Sequence, residues 1–130
     1  MPVRRQDPRI ALLLQALDSA YLRRGWHGPV LRNVLKGLPA SVAHRHAVRG
    51  RHSIWELALH TAYWKYLVLR RITGDESLVF PRPGANFPSV PTRAGEDEWQ
   101  ADLRLLDEQH RRLRAAVAAF AVEPRLQVVA

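Results

Sequence analysis

The chain has 130 residues, of which 47% are hydrophobic and 25% are charged. These proportions are normal for a soluble globular protein and exclude global disorder and fibrous repeats. The length predicts a single domain over residues 1–130. Cysteine is absent, which excludes disulfides, thiol nucleophiles and thiolate metal sites within the chain, so a bound metal would require nitrogen and oxygen ligands.

The charge of the chain is uneven. The formal net charge is +8, and the basic residues comprise 18 arginines and only two lysines. Residues 1–74 carry thirteen basic and three acidic residues, whereas residues 75–130 carry seven and nine. An anionic partner would explain this asymmetry, but genome bias or surface ion pairs also produce arginine-rich chains, and we favour that explanation. A signal peptide and a membrane-length apolar run are both missing, so we expect a cytoplasmic protein without membrane contact.

The first half of the chain predicts one long helix, one short helix and a single helical turn. The long helix begins after Asp7, a capping residue followed by proline, and is expected to stop near Gly25. Residues 26–29 form a helix-breaking cluster. A short helix is predicted over Val30–Lys36, and the weakly determined stretch after it contains a single helical turn at Ser41–Arg45.

The second half predicts two long helices joined by a long loop. Ser53 with Glu56 three residues later forms a capping box, and Gly74 stops this helix, which we expect to be the most buried one. The loop over Asp75–Asp97 contains four prolines, and its two phenylalanines indicate that it is pinned to the surface. The last helix is predicted over Asp97–Ala121, with acidic residues at its start.

Two histidines interrupt the apolar pattern of the long helices. Inward positions of the last helix recur every three or four residues, at Trp99, Leu103, Leu106, His110, Leu113, Val117 and Phe120. His110 is therefore predicted to point into the core, and His60 lies inside the apolar run of the preceding long helix. Such imidazoles form either buried hydrogen bonds or part of a metal site. The pattern alone favours the hydrogen-bonded interpretation for both.

Four segments together resemble the DinB/YfiT-like family. They are Gly28–Leu38, His52–Lys65, Phe80–Pro88 and Trp99–Leu113, and the most specific is Ser-Ile-Trp-Glu-Leu with His60 and Trp64 after it. The resemblance implies an all-α, up-down helical bundle, often a homodimer. It also implies a divalent metal, nickel or zinc, held by three histidines, and in some members an activity that uses a small-molecule thiol.

The metal site implied by the resemblance is incomplete in this sequence. His60 matches the first ligand of the family, but the His-x-x-x-His pair of the final helix does not occur in the chain. We therefore expect three long helices and one short one, without the usual final helix of the family, and a bundle face that either a partner subunit or a missing fourth helix would cover. The favoured hypothesis is a scaffold or weakly metal-binding protein with His60, and less readily His110, as metal ligands. The alternative is a metal-dependent thiol transferase or isomerase whose ligands a partner subunit completes.

A third hypothesis is nucleic-acid binding. Val30–Lys36 and Ser41–Arg45 imitate a helix-turn-helix, and Arg45, Arg49 and Arg51 would supply phosphate contacts. The second helix is short and lacks side chains suited to reading base edges, so we rank this hypothesis last. The remaining candidates have ordinary interpretations: the aromatic residues of the long helix as core, Glu56 as a cap rather than an orienting partner of His60, and the arginine clusters as solvated. The last group comprises Arg70, Arg71, Arg111, Arg112 and Arg114.

Overall fold

The computed structural model describes residues 6–22 and 30–120. Within these ranges the chain forms five helices and no strand, which confirms the all-α prediction. The helices are α1 (Pro8–Tyr21), α2 (Leu31–Lys36), α3 (Ala40–His44), α4 (Ile54–Thr73) and α5 (Glu96–Ala119). The predicted end of the first helix near Gly25 and the breaker cluster at 26–29 lie outside the described residues.

Helix α4 begins and ends where its sequence signals predict. The Ser53 hydroxyl accepts a 3.1 Å hydrogen bond from the Glu56 amide, while the Glu56 carboxylate accepts one of 3.2 Å from the Ser53 amide. This reciprocal pair satisfies two amides that the helix itself leaves without acceptors. Gly74 ends the helix with a φ of 68°, a left-handed conformation that glycine adopts without steric cost.

Helix α5 runs parallel to α4 and antiparallel to α1. Trp55 packs on Trp99 near the start of both α4 and α5, with ring centroids 5.1 Å apart, and Leu69 clusters with Leu113 further along both helices. The long segment between Gly74 and α5 is therefore a crossover that returns the chain to the same end of the bundle. Both tryptophans are fully buried and form the centre of the larger core cluster.

One sequence expectation is wrong at the surface. Phe120, predicted to continue the inward stripe of α5, is the residue that ends this helix and is 42% exposed. Helix α4 also carries exposed apolar side chains, those of Leu57, Trp64 and Val68. These three residues are spaced seven and four apart, so they lie along one face that the described helices leave uncovered.

The short helices complete the core. Helix α3 has five residues, and its Ala40 and Ala43 are buried, so little of it is free to enter a nucleic-acid groove. Trp99 donates its indole N–H to the Leu38 carbonyl at 2.9 Å, which fixes the turn between α2 and α3 against α5. Among the described residues, no helix is both long enough and apolar enough to cross a membrane.

Candidate functional site

His60 lies on α4 and is held by the crossover segment. Its Nδ1 is 2.7 Å from the Asn86 carbonyl oxygen. A carbonyl oxygen only accepts hydrogen bonds, so Nδ1 carries the proton and the lone pair of the neutral ring is on Nε2. Metal-binding histidines commonly have this arrangement, in which one ring nitrogen is anchored to a carbonyl and the other is left to bind.

Phe87 separates His60 from His52. The Phe87 ring is stacked on the His60 ring with centroids 4.2 Å apart and planes 12° apart, and on the His52 ring at 3.8 Å and 6°. One face of a phenyl ring holds only one ring at such a distance, so the two imidazoles occupy opposite faces of Phe87. The result is a three-layer stack, which we call the imidazole–phenyl stack (His52, His60 and Phe87).

Asn86 fastens this stack to α4. Its backbone is in the left-handed region with a φ of 66°, a conformation that asparagine tolerates better than most residues. Its carbonyl accepts from His60, and its side-chain oxygen accepts from the Trp64 indole N–H at 2.8 Å. Both hydrogen bonds join the crossover to one face of α4. The prediction that this loop is pinned to the surface is therefore confirmed.

Glu56 joins His52 of the stack to a further histidine, His46. Its Oε2 is 2.9 Å from Nδ1 of His52, and its Oε1 contacts Nε2 of His46. Burial alone would raise the pKa of Glu56, but hydrogen bonds from His52, the Ser53 amide and His46 lower it to about 2. Glu56 therefore acts as a cap, as predicted, and its imidazole partners are His46 and His52 rather than His60.

His110 points into the core, as predicted, and is only 2% exposed. Its Nδ1 lies 3.1 Å from the Lys65 ammonium, and its Nε2 lies 3.3 Å from the Asp18 carboxylate. An ammonium donates and a carboxylate accepts, so the Nε2 atom carries the proton, opposite to the tautomer of His60. Burial and the charge of Lys65 lower the pKa of His110, and burial also lowers the pKa of Lys65.

A chain of charged and polar groups extends from His110 between α1 and α5. Nε of Arg114 donates to both oxygens of Asp18, at 3.1 Å each. The Tyr21 ring packs on the His110 ring with centroids 4.4 Å apart, and its hydroxyl donates to Asp107. Burial, followed by the hydrogen bond to Asp107, raises the pKa of Tyr21.

Sequence reasoning missed the buried carboxylate of Asp18 and also that of Asp102. Asp102 accepts a 2.9 Å hydrogen bond from the Trp55 indole and another from the Arg82 guanidinium of the crossover. Its position three residues after Trp99 and four before Leu106 places it on the inward face of α5. An acidic residue on an apolar stripe was the signal available in the sequence.

The two predicted metal ligands lie in separate surroundings. His60 contacts Asn86 and Phe87 of the crossover, whereas His110 contacts Asp18 and Lys65. Within residues 6–22 and 30–120, no group of three or more histidine, aspartate or glutamate side chains is arranged to hold a metal ion. A three-histidine nickel or zinc site therefore does not fit the described residues as they are arranged.

Of the arginines singled out in the sequence, Arg111 and Arg114 line one open groove together with Arg32 and Arg104. Arg70 instead donates to the Glu76 carbonyl at 3.3 Å, at the end of α4. The predicted clusters are thus divided between two parts of the surface.

Comparison with known proteins identifies the family of the chain. The family model described as the DinB superfamily matches residues 21–126, which is most of the sequence. No curated protein and no solved structure matches.

Proposed function

The chain belongs to the DinB superfamily. From this premise we propose that it is a binding protein, in which the helical bundle serves as a scaffold rather than as a metal-dependent catalyst. The observation that carries the proposal is the insertion of Phe87 between His52 and His60. Two nitrogens that bind one zinc ion at about 2.1 Å lie no more than roughly 4 Å apart. A phenyl ring stacked between the two imidazoles keeps them from meeting that condition.

Metal binding tests this proposal directly. Purified protein is titrated with Ni²⁺ and Zn²⁺ by calorimetry, and the metal retained after gel filtration is measured by elemental analysis. We expect less than one equivalent of retained metal and a folded protein in its absence. One retained equivalent that is lost in His60→Ala, with the helical circular dichroism unchanged, would overturn the proposal. His44→Gln, which changes an exposed histidine of α3, is the matched control.

Phe87→Ala tests the part of the argument that concerns the phenyl ring. Removing the ring takes away the group between His52 and His60 and lets the two imidazoles approach each other. We expect this variant to bind Ni²⁺ or Zn²⁺ more tightly than the wild type, by about tenfold or more. Unchanged affinity would show that the ring does not limit metal binding.

A second candidate function is a metal-dependent thiol transferase or isomerase. The anchoring of His60 Nδ1 on the Asn86 carbonyl favours it, because this contact leaves Nε2 as the atom that would bind a metal. The missing ligands would come from a second copy, and the exposed face of Leu57, Trp64 and Val68 offers an apolar surface for a homodimer. Light scattering with and without Ni²⁺ or Zn²⁺ tests this: a metal-dependent dimer that His60→Ala abolishes supports this candidate, and a metal-independent monomer contradicts it.

A further inference from the structure

We propose that the groove lined by one side of α5, by Arg32 of α2 and by Leu22 at the end of α1 binds a small organic anion, with the oxyanion among Arg104, Arg111 and Arg114 and the apolar part of the ligand against α2. The groove has a volume of about 450 Å³, within the range of small-molecule sites. It is separate from the imidazole–phenyl stack, so the proposal does not depend on whether His60 binds a metal.

The arginines lie on one face of α5. Positions 104, 108, 111 and 114 are three or four residues apart, and position 107 lies three after 104 and four before 111, which aligns all five along one side of a helix. Arg104, Arg111 and Arg114 are basic, and Asp107 and Glu108 are acidic. Arg32 of α2 faces this row and is 3.3 Å from Asp107. The groove therefore concentrates four guanidinium groups on a short stretch of surface.

The carboxylates in and beside the groove leave several guanidinium donors of its arginines available. Asp107 pairs with Nε of Arg32, Asp18 pairs with Nε of Arg114, and Glu108 pairs with one terminal nitrogen of Arg111. The first two pairs leave the terminal nitrogens of Arg32 and Arg114 as donors, and Arg111 keeps its second terminal nitrogen and its Nε. Arg104 makes no ion pair with any residue in the described ranges. Several guanidinium forks are thus available for the bidentate contacts that carboxylates and phosphates form.

The wall of the groove is fixed in place. His110, which lines it, is held between Lys65 and Asp18 and packed on the Tyr21 ring. The Lys65 ammonium lies 3.1 Å from Nδ1 of this imidazole, and the Arg114 guanidinium bonds to the same Asp18 carboxylate as the imidazole does. A wall that is held by these contacts and has two cations next to it favours an anion without requiring rearrangement on binding.

An apolar recess adjoins the groove and limits the size of the apolar group that a ligand can carry. A smaller cavity of about 100 Å³ shares Arg32, Arg104 and Asp107 with the groove and is also lined by Leu35, Leu103 and Leu106. A charged group in the groove can thus be joined to a compact apolar group in the recess. The shared chemistry is an oxyanion, either carboxylate or phosphate, on a small hydrocarbon or aromatic body.

The test uses four probes of defined chemistry with the full chain. Benzoate and phenyl phosphate carry the two kinds of oxyanion on an aromatic ring, inorganic phosphate lacks the ring, and benzyl alcohol lacks the charge. Calorimetry at low ionic strength is expected to show binding of benzoate or phenyl phosphate and none of benzyl alcohol. The tighter of the two binders identifies the oxyanion. If neither binds, the proposal is wrong.

Two variants locate the binding. Arg104→Gln and Arg111→Gln change exposed side chains, so we expect both proteins to fold. Each should weaken binding of the preferred probe about tenfold, the effect of losing one charge-assisted hydrogen bond. Arg71→Gln, an exposed arginine of α4 outside the groove, is the matched control. Equal weakening in all three variants would show a general charge effect and overturn the assignment.

The recess and the metal are tested separately. Leu103→Asn should weaken the binding of phenyl phosphate and leave the binding of inorganic phosphate unchanged. If the wild-type protein binds the two phosphates with equal affinity, the recess has no role in binding. Ni²⁺ binding is measured in the Arg104→Gln and Arg111→Gln proteins. Their His60 is intact, so weakened anion binding with unaltered Ni²⁺ behaviour shows that the groove acts independently of His60, and the groove proposal can then fail or succeed separately from the scaffold proposal.

Discussion

The indole N–H of Trp55 donates a 2.9 Å hydrogen bond to the Asp102 carboxylate in the contact between α4 and α5. Both side chains are buried, and Arg82 from the crossover donates to the other carboxylate oxygen. One acidic residue therefore joins three segments of the chain: α4, the crossover and α5. A buried carboxylate is stable only when its charge is compensated and its oxygens are hydrogen-bonded, and Asp102 meets both conditions.

Asp102→Ala is expected to destabilise the protein by about 3 kcal/mol, because it leaves the Trp55 indole and the Arg82 guanidinium without their acceptor. Trp55→Phe keeps the Asp102–Arg82 pair and removes one donor, so the cost of the lost hydrogen bond should be smaller, about 1 kcal/mol, plus the cost of the smaller ring. Urea unfolding monitored by circular dichroism measures both. Asp97→Ala changes an exposed acidic residue of the same helix and should cost about 0.5 kcal/mol. The prediction would be contradicted if Asp102→Ala lowered the free energy of unfolding by no more than this control does.

Glu56 is expected to make stability depend on pH in acid. Its pKa is lowered to about 2 in the folded protein from an ordinary value of 4.5, so the unfolded chain takes up a proton first as the pH falls. The stabilisation is therefore complete above pH 4.5 and is lost as the pH falls from there towards 2. Glu56→Gln should lose less stability than the wild type between pH 6 and pH 3 in urea titrations. Glu76→Gln, an exposed residue after α4, serves as the control and should follow the wild-type profile.

His110 should titrate below its ordinary pKa of 6.5, because burial and the neighbouring Lys65 disfavour the imidazolium. The unfolded chain binds the proton at a higher pH than the folded protein does, so this residue makes stability fall as the pH drops below 6.5. Lys65→Met removes the nearby charge and is expected to raise the His110 pKa, as followed by the imidazole resonances in NMR. Lys36→Met changes an exposed residue of α2 and should leave the His110 pKa unchanged. A His110 midpoint that does not move in Lys65→Met would show that burial alone sets it.

Asn86 is expected to stabilise the crossover through its backbone as well as its side chain. Asn86→Ala removes the acceptor of the Trp64 indole and places a Cβ-bearing residue less suited to a φ of 66°, whereas Asn86→Gly removes only the acceptor. We expect both variants to lose stability, with alanine worse than glycine by about 1 kcal/mol. Thermal unfolding compares them, and the Trp64 indole N–H resonance reports the lost hydrogen bond. Equal melting temperatures for the two variants would argue against a strained backbone.

The sequence predicts the parts of the fold that depend on local rules. Ser53, Glu56 and Gly74 set the ends of α4 through capping, and these signals need no knowledge of the rest of the chain. The inward position of His110 follows from helical periodicity for the same reason. The prediction that Phe120 points inward is wrong because α5 ends one residue before it, and helical periodicity does not indicate where a helix stops.

The contacts of the candidate site depend on distant parts of the chain. The pairing of Glu56 with His46 requires the turn before α4 to fold back over ten residues, and the stacking of Phe87 on His60 requires the path of the whole crossover. Neither follows from residue spacing. The arginine groove is similar, because Arg32 of α2 and Asp107 of α5 meet only in the folded bundle.

The contacts of Asp18 have a consequence for the order of folding. Asp18 is separated by 92 residues from His110 and by 96 from Arg114. During synthesis α1 leaves the ribosome long before these partners exist, and closing so large a loop is slow compared with pairing neighbouring segments. We therefore expect α1 to dock last, onto a nucleus already formed by α4 and α5, and its partly apolar surface to stay open to chaperones until translation has passed α5.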